Sequence, residues 1–238
     1  MTINFCVTLT TIPSRLKNLE ITIKSINKQT LKPNKIFLNI PYKYKRFPES
    51  SINEKDLENI KKLENVEITR CEDFGPSTKL MGALDKIKNY DCVIIVDDDH
   101  EYNELMCEIF IEEFKIKRLN YSFYLNKIFN IKMAQCADGF LINTKYLDKI
   151  ESFYERFVIK NKNMFYDDDL WFSIYLQLVK KTQIIKTLEI FQKKTGKDVI
   201  YNNQNAPDSL NKNIYGPHKF INRRKIQKIE YIKFLIKK

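Results

Sequence analysis

Short apolar segments alternate with segments of helical periodicity in the first half of the chain. Residues 3–10 are β-branched and apolar without helical spacing, whereas residues 15–29 place Leu16, Leu19, Ile23 and Ile26 on one helical face. The same two patterns predict further strands at 35–40, 66–69 and 92–96 and further helices at 54–63 and 78–87. This alternation predicts βαβ units, and therefore a mainly parallel sheet that helices cover on both faces.

The second half of the chain is less regular. Helical spacing returns at 104–114 and 167–181, and residues 131–147 predict a strand or a hairpin around Asp138-Gly139. Residues 196–217 are rich in Gly, Asn, Pro and Asp, which predicts a long loop. A short basic amphipathic helix is predicted from Arg223 onward.

Three aspartates follow the strand "CVIIV", residues 92–96. A strand that is apolar at every position is predicted to be central in its sheet, and ligands of such sheets bind beyond the carboxyl ends of the strands. Neighbouring carboxylates repel by about 4 kcal/mol at ~4 Å and an effective dielectric of about 20. Asp97, Asp98 and Asp99 are therefore expected to need a cation, and extended backbone would direct Asp97 and Asp99 to the same side.

Carboxylate oxygens without a Cys or His cluster favour Mg²⁺ or Mn²⁺, which proteins usually share with substrate phosphates. A solvated acidic turn is the simpler alternative, but three aspartates directly after an apolar strand disfavour it. A haloacid-dehalogenase-like phosphatase is a second alternative. It is disfavoured because Glu101 stands where that family has Thr or Val, and because the aspartates follow the fourth predicted strand and not the first.

Composition adds few constraints. The chain has 238 residues, 43% of them hydrophobic, and a formal net charge of +11. This composition predicts a globular protein, and the charge attracts phosphate-bearing ligands, nucleic acid or anionic membranes without choosing among them. Five cysteines without CxxC spacing predict buried free thiols in a reducing compartment. No signal-peptide pattern and no apolar stretch of about 18 residues occurs, so a cytoplasmic protein, soluble or peripherally bound to membrane, is predicted.

Four stretches in this order carry a resemblance to a known family: "TLTTIPSR", "EDFGPSTKLMGAL", "VDDD" and "FYDDDLWFSIYL". With them the chain resembles GT-A-fold glycosyltransferases, family-2-like enzymes that use nucleotide-diphosphate sugars, over about residues 3–180. The resemblance implies an α/β, Rossmann-like GT-A domain with an irregular C-terminal part. Its parts are a nucleotide-binding half at 1–103, an acceptor half at 104–195 and a C-terminal loop and basic helix at 196–238.

The resemblance also implies an activity. This is metal-dependent, inverting transfer of a sugar from a nucleotide-diphosphate donor to a hydroxyl of a glycan, lipid or protein, with Mn²⁺ or Mg²⁺ as cofactor. Asp97 would face the ribose or the metal, Asp99 would be the main metal ligand, and His218 would be a late third ligand. Asp168 and Asp169 match the acidic pair before a helix, with Asp169 the candidate base that takes the acceptor proton.

The implied nucleotide-sugar contacts are Thr10, Thr11, Arg15, Asp73, Lys79, Asp97, Asp98, Asp138 and Gly139. Simpler roles stand beside several of these. The two threonines also suit strand and helix-cap positions, Lys79 suits a solvated helix face, and His218 suits a polar loop. The aspartates at 167–169 also suit a helix N-terminus, and Trp171 suits either a stacked sugar or the core.

The chain departs from the family pattern at the second strand, where Asn39 stands in place of the usual acidic residue. Glu72 and Asp73 are the alternative acidic residues for base recognition, so the nucleobase stays open. The later acidic motif begins Asp-Asp and not Glu-Asp, which keeps the carboxylates but shortens their reach.

Two rival functions remain at this stage. A sugar nucleotidyltransferase shares the layered architecture and metal carboxylates, but it normally has a glycine-rich loop after the first strand, and "TLTTIPSR" has no glycine. A basic nucleic-acid-binding protein fits the net charge of +11, but the strongest local signal is acidic. The basic C-terminal helix fits either an anionic membrane or simple packing on the domain.

Overall fold

Strands and helices alternate along the first half of the chain, as the sequence predicts. The computed structural model describes residues 2–203 and 220–237, except the side chains of 202, 203, 220 and 221. Over these residues the strands are β1 (Phe5–Thr10), β2 (Lys35–Pro41), β3 (Val66–Cys71), β4 (Cys92–Ile95), β5 (His100–Tyr102), β6 (Asn120–Ser122), β7 (Leu125–Ile128), β8 (Ile131–Ala134), β9 (Phe140–Asn143), β10 (Ile184–Lys186) and β11 (Ile200–Asn203).

The helices are mostly short. They are α1 (Leu19–Asn27), α2 (Glu58–Lys61), α3 (Thr78–Met81), α4 (Leu84–Ile87), α5 (Met106–Ile116), α6 (Ile150–Phe153), α7 (Lys162–Phe165), α8 (Asp168–Ile174), α9 (Leu188–Thr195) and α10 (Phe220–Lys237). Segments of 3-10 helix occur at Pro13–Asn18, Lys55–Leu57, Gly75–Ser77 and Thr144–Tyr146, and π-helical segments at Tyr154–Val158 and Tyr175–Val179.

Seven strands form the main sheet in the order β10-β6-β9-β4-β1-β2-β3. Strands β1 to β4 are parallel to one another where they pair, β9 runs antiparallel between β4 and β6, and β10 is parallel to β6. Strand β4 occupies the middle position and all four of its residues are buried. The prediction of a mainly parallel sheet with a central "CVIIV" strand is therefore confirmed.

Both faces of this sheet are covered. Val93 and Ile95 pack into a cluster with side chains of α3, α4 and α8, whereas Cys92 and Ile94 pack into a second cluster with α1 and α5. Successive strand residues point to opposite faces, so two separate clusters along one strand mean a layer on each side. The fold is α/β and Rossmann-like, with a GT-A-like sheet.

Two predicted elements differ in detail. The helix expected over 78–87 is divided into α3 and α4 at Gly82 and Ala83, where the Ala83 backbone leaves helical geometry with a φ of −126° and a ψ of 25°. The segment 131–147 is not a hairpin: β8 pairs with β7 in a separate two-stranded sheet, whereas β9 enters the main sheet. The Asp138-Gly139 turn therefore connects two sheets.

The C-terminal part is only partly described. Strand β11 lies within the predicted loop and pairs antiparallel with β5, and α10 forms where a basic helix is predicted. All five cysteines are free and buried, which confirms the thiol prediction. Among the described helices, none is both long enough and apolar enough to cross a membrane.

We expect Gly82→Ala to lower the free energy of unfolding by about 1–3 kcal/mol, because the added methyl would overpack a filled interior. An added Cβ would lie 2.7 Å from the Asn39 Cβ and 2.8 Å from the Cys71 Sγ. Urea unfolding measures the change. Asp85→Ala, in α4 with a side chain that is 91% exposed, is the control and should stay within about 0.5 kcal/mol. Equal effects of the two changes would contradict the packing argument.

Candidate active site

Polar residues from two neighbouring parallel strands meet at one edge of the sheet. Thr11 and Arg15 follow β1, and the three aspartates follow β4. The Thr11 hydroxyl donates to the Asp98 carboxylate at 2.6 Å, and Arg15 Nη1 donates to its other oxygen at 2.7 Å. The carboxyl ends of β1 and β4 thus form the edge at which the sequence predicts ligand binding.

Asp98 holds the turn after β4 against the loop after β1. Its residue is 5% exposed, and both of its carboxylate oxygens accept the bonds from Thr11 and Arg15. The Thr22 hydroxyl lies 2.9 Å from the Asp98 carbonyl oxygen and 2.7 Å from that of His100. The predicted ligand contact of Asp98 stays a prediction, while its observed bonds are internal to the protein.

Asp97, Asp99 and His100 place one potential ligand atom each within 4.8 Å of one another. The sequence predicts that extended backbone directs Asp97 and Asp99 to the same side. In the structure β4 ends at Ile95, and a turn brings the two carboxylates together. His100 Nδ1 lies 2.9 Å from the Asp99 carbonyl oxygen. Because a carbonyl only accepts, Nδ1 is the donor of this hydrogen bond.

Two carboxylates and an imidazole nitrogen are a donor set that suits a divalent cation. Burial and the charge of Asp97 raise the pKa of Asp99, although Arg15 lies 3.1 Å away. Burial would also raise the pKa of Asp97, but the nearby charges, with Lys79 the foremost and Arg15 a smaller one, together lower it. The residues present therefore fit a cation bound between Asp97 and Asp99.

Lys79 connects the aspartates after β4 to the second acidic motif. Its ammonium group pairs with Asp97 and lies 3.0 Å from Asp168 Oδ2. The residue is 5% exposed, so the alternative of a solvated helix lysine is wrong. Burial alone would lower the pKa of Lys79, but the carboxylates of Asp168 and Asp97 hold it well above its usual range. Lys79 is therefore a buried cation shared by both motifs.

The three aspartates at the start of α8 have different contacts. Asp167 caps the helix by accepting a hydrogen bond from the Leu170 amide at 3.3 Å, and it also accepts bonds from Arg223 and from Gln227 at 2.8 Å. Asp168 turns toward Lys79. Helix capping thus accounts for the first carboxylate, and the other two face the cleft.

The pKa of Asp169 is raised above its usual value. One of its oxygens accepts from the Cys136 amide at 2.9 Å, and the other lies 3.5 Å from Arg223 Nη2. Burial and the neighbouring charge of Asp168 raise the pKa of Asp169 to about 7, even though the Arg223 charge acts in the opposite direction. A carboxyl group that titrates near neutrality is suited to accept a proton from a substrate.

Asp138 lines the cleft, whereas Gly139 is not among its lining residues and faces Phe110 and Met106. Gly139 has a φ of +100°, where an L side chain would be strained. The buried Tyr102 hydroxyl accepts from the Asp97 amide at 2.9 Å and donates to the Ala137 carbonyl at 2.7 Å, so it ties this turn to the aspartates. Burial, with a smaller contribution from Asp97, raises the pKa of Asp138 to about 6.

Asp73 and Thr10 also line the cleft. The Asp73 carboxylate accepts from the Lys45 amide at 2.6 Å and from the Gly75 amide at 2.7 Å, so it joins two loops. Thr10 donates to the Asn39 carbonyl at 2.7 Å, which fits its strand role, and Thr10 also lines the cleft. Base recognition by Asp73 remains a prediction.

Together these residues line a cleft of about 460 Å³, a size typical of sites for small ligands. Among the described residues it is lined by seven aspartates, at positions 73, 97, 98, 99, 138, 168 and 169, and by four cationic residues, Arg15, Arg46, Lys79 and Arg223. A net acidic cleft in a chain of charge +11 favours a ligand that includes a cation.

His218 and Trp171 are the remaining residues with alternative predicted roles. His218 lies outside the described residues, so its metal role is untested. Trp171 is fully buried and packs against Phe153 and Phe172, which confirms the core alternative.

Sequence reasoning missed several residues of the cleft. Arg223 reaches the α8 aspartates from α10, and its basic surroundings suggested only a surface helix. Tyr102 and Tyr44 belong to no recognisable motif, although the hydroxyl of each donates a hydrogen bond to a backbone carbonyl of a site loop. No pattern along the chain signals such contacts, because they depend on tertiary packing.

Comparison with known proteins supports the fold. No protein-family model matches the chain, and no curated protein does. Among solved structures, S. aureus TarS 1-349 in complex with UDP superposes with a TM-score of 0.55 at 12% identity, over 97% of this chain and 66% of that one. The chain thus spans just under two thirds of the TarS fragment.

A second similar structure is 4-diphosphocytidyl-2C-methyl-D-erythritol synthase from Anaerococcus prevotii DSM 20548. Its TM-score is 0.51 at 14% identity, over 76% of this chain and 86% of that one. At such identities both likenesses concern the fold alone.

We expect Lys79→Met to lower the free energy of unfolding by about 3–5 kcal/mol at pH 7, because it leaves the buried Asp168 carboxylate and the half-buried Asp97 carboxylate without their cation. Asp168→Asn in the same chain should restore part of this loss. Urea unfolding of the single and double variants measures both effects. The control is Lys86→Met, whose side chain is 49% exposed, with an expected change below about 1 kcal/mol. A loss at Lys79 no larger than the control would contradict the shared-cation role.

Proposed function

We propose that this protein is a metal-dependent glycosyltransferase that moves a sugar from a nucleotide-diphosphate donor to an acceptor hydroxyl with inversion. One observation carries the proposal: a cation-suited pair, Asp97 and Asp99, and a carboxyl group with a pKa of about 7, Asp169, face the same cleft. The likeness of fold to a UDP-bound protein adds support. The acceptor would be a glycan, a lipid or a protein, and no nucleic acid is expected.

In this proposal the donor diphosphate lies beside Asp97, Asp99 and His100, which would hold Mn²⁺ or Mg²⁺. A bound ion would neutralise charge on the departing nucleoside diphosphate. Arg15 and Lys79 bring positive charge into the same part of the cleft. Thr10, Thr11 and Asp73 border the end where the nucleobase would lie.

Asp169 would accept the proton of the acceptor hydroxyl. The hydroxyl oxygen then forms a bond to the anomeric carbon while the bond between that carbon and the diphosphate oxygen breaks, and the leaving group keeps the electron pair. A single displacement of this kind inverts the anomeric configuration. The Cys136 amide and Arg223 hold the Asp169 carboxylate in position on both sides.

Sugar nucleotidyl transfer is the second candidate, because the fold also resembles a synthase whose named product carries a diphosphocytidyl group. That reaction joins a sugar phosphate to a nucleoside triphosphate and releases pyrophosphate, and it has no need for a base at an acceptor alcohol. Release of pyrophosphate from a nucleoside triphosphate and a sugar phosphate, without donor-sugar turnover, would favour this candidate over ours.

We expect the melting temperature to rise with one nucleotide-diphosphate sugar only when Mn²⁺ or Mg²⁺ is also present. Asp99→Asn should remove the metal-linked part of that rise, because it takes away a charged ligand. Thermal unfolding with UDP-, GDP-, CDP- and dTDP-sugars, each with and without metal, measures this. Asp85→Asn, far more exposed, is the control and should behave as the parent. A metal-linked rise that survives Asp99→Asn would contradict the ligand assignment.

We expect Asp169→Asn to lower turnover about 10²–10⁴-fold, the usual contribution of a positioned base. The metal-linked donor shift should persist, because Asp169 does not belong to the Asp97 and Asp99 cluster. For the parent, activity needs the ionised carboxylate, so the rate should rise with pH and level off above about 7. A pH–rate profile of parent and variant tests this, and a rate that falls across the same range would exclude Asp169 as the base.

A further inference from the structure

Helix α10 packs on the domain with one face and leaves the opposite face uncovered. Gln227, Glu230, Tyr231 and Phe234 are each 4% exposed or less. Their spacing follows the three- and four-residue steps of one helical face. This packed face holds α10 firmly on the domain, so the opposite face has a defined orientation toward solvent.

The uncovered face is apolar. Ile229, Ile232, Leu235 and Ile236 are 41%, 46%, 48% and 79% exposed, and we call these four residues the outer stripe. At about 100° per residue, the three isoleucines fall within about 60° of one another and point away from the packed face. A stable helix that exposes a continuous apolar stripe is typical of a binding surface.

The charges around the outer stripe are all of one sign. The exposed ionisable residues of α10 among those described are Arg224, Lys225, Lys228, Lys233 and Lys237. The one acidic residue of the helix, Glu230, is buried and accepts bonds from Asn161 and Asn163, with Lys233 at 2.8 Å. The outer stripe therefore has basic side chains on its flanks and no exposed carboxylate on its own helix.

An exposed aromatic residue lies beside the basic flank of the outer stripe. Phe129, 48% exposed, lies in the turn between β7 and β8, with its ring 5.5 Å from that of Tyr231 in α10. Lys228 Nζ lies 6.0 Å from the centre of the Phe129 ring. Aromatic and basic side chains placed side by side at the edge of an apolar stripe are the groups that anchor proteins at the interface of a lipid bilayer.

We propose that α10 lies on the surface of an anionic membrane, with the outer stripe in the lipid interface and its lysines toward the headgroups. An apolar stripe between basic flanks is complementary to anionic lipid in both hydrophobicity and charge. A second copy of this chain would bring like charges together, which the uniform sign of the flanks disfavours.

The same helix reaches the cleft. Arg223, near the start of α10, bonds to Asp167 and lies 3.5 Å from Asp169. One helix therefore carries both the outer stripe and a residue of the cleft. If the proposed function holds, on which this step rests, the acceptor hydroxyl belongs to a lipid carried by that membrane.

The test is co-sedimentation of the full chain with vesicles of phosphatidylcholine alone and of phosphatidylcholine with phosphatidylglycerol, without nucleotide or metal. We expect binding to the anionic vesicles at least about 10-fold above the neutral ones, weakened at about 1 M salt because the charges are then screened. Ile229→Gln with Ile236→Gln should lower the partition coefficient by about 10-fold or more. Circular dichroism should remain unchanged, since both side chains are exposed.

The matched control is Ile116→Gln with Ile190→Gln, two exposed isoleucines of α5 and α9, which should bind vesicles as the parent does. Equal binding to neutral and anionic vesicles, no binding, or equal loss in the two double variants would overturn the proposal. A concentration-dependent dimer that the outer-stripe variant abolishes, with no vesicle binding, would also overturn it and assign the stripe to a second copy. Because donor and metal are absent, failure here leaves the proposed transfer reaction untouched.

Discussion

The buried ammonium group of Lys79 is the interaction on which the candidate site depends. It pairs with the half-buried Asp97 after β4 and with the buried Asp168 at the start of α8, a carboxylate that would cost several kcal/mol to bury alone. The Lys79 carbonyl in turn accepts from the side-chain amide of Asn39 at 2.9 Å and from the Thr8 hydroxyl. Strands β1 and β2 thus fix the position of the cation that joins the two acidic motifs.

Burial gives chemically identical side chains different properties along this cleft. Low polarity raises the pKa of Asp169, Asp99 and Asp138, whereas the nearby Lys79 lowers that of Asp97. Aspartates with separated pKa values can divide the work of binding a cation and accepting a proton. The sequence predicts that these carboxylates belong to one site, and the packing around each one shifts its pKa.

The sequence predicts the parts of the fold that depend on local pattern. Short apolar runs locate strands β1 to β4 in the sequence, and the helical spacing of apolar residues locates helix α8. The three-residue strands β6 and β10 are too short for a pattern, and the antiparallel direction of β9 depends on its neighbours in the sheet. In the site, acidic motifs point to Asp97, Asp99 and Asp169, but the contacts of Arg223 and Tyr102 arise only from tertiary packing.

The contact between α10 and α8 also orders events during synthesis. Arg223 follows Asp167 by 56 positions in the chain, so the ribosome exposes the acidic start of α8 well before its cationic partner. Until then the three carboxylates at 167–169 have only Lys79 as a described ion-pair partner. The balance of charge around the candidate base therefore depends on α10, the last described helix to be synthesised.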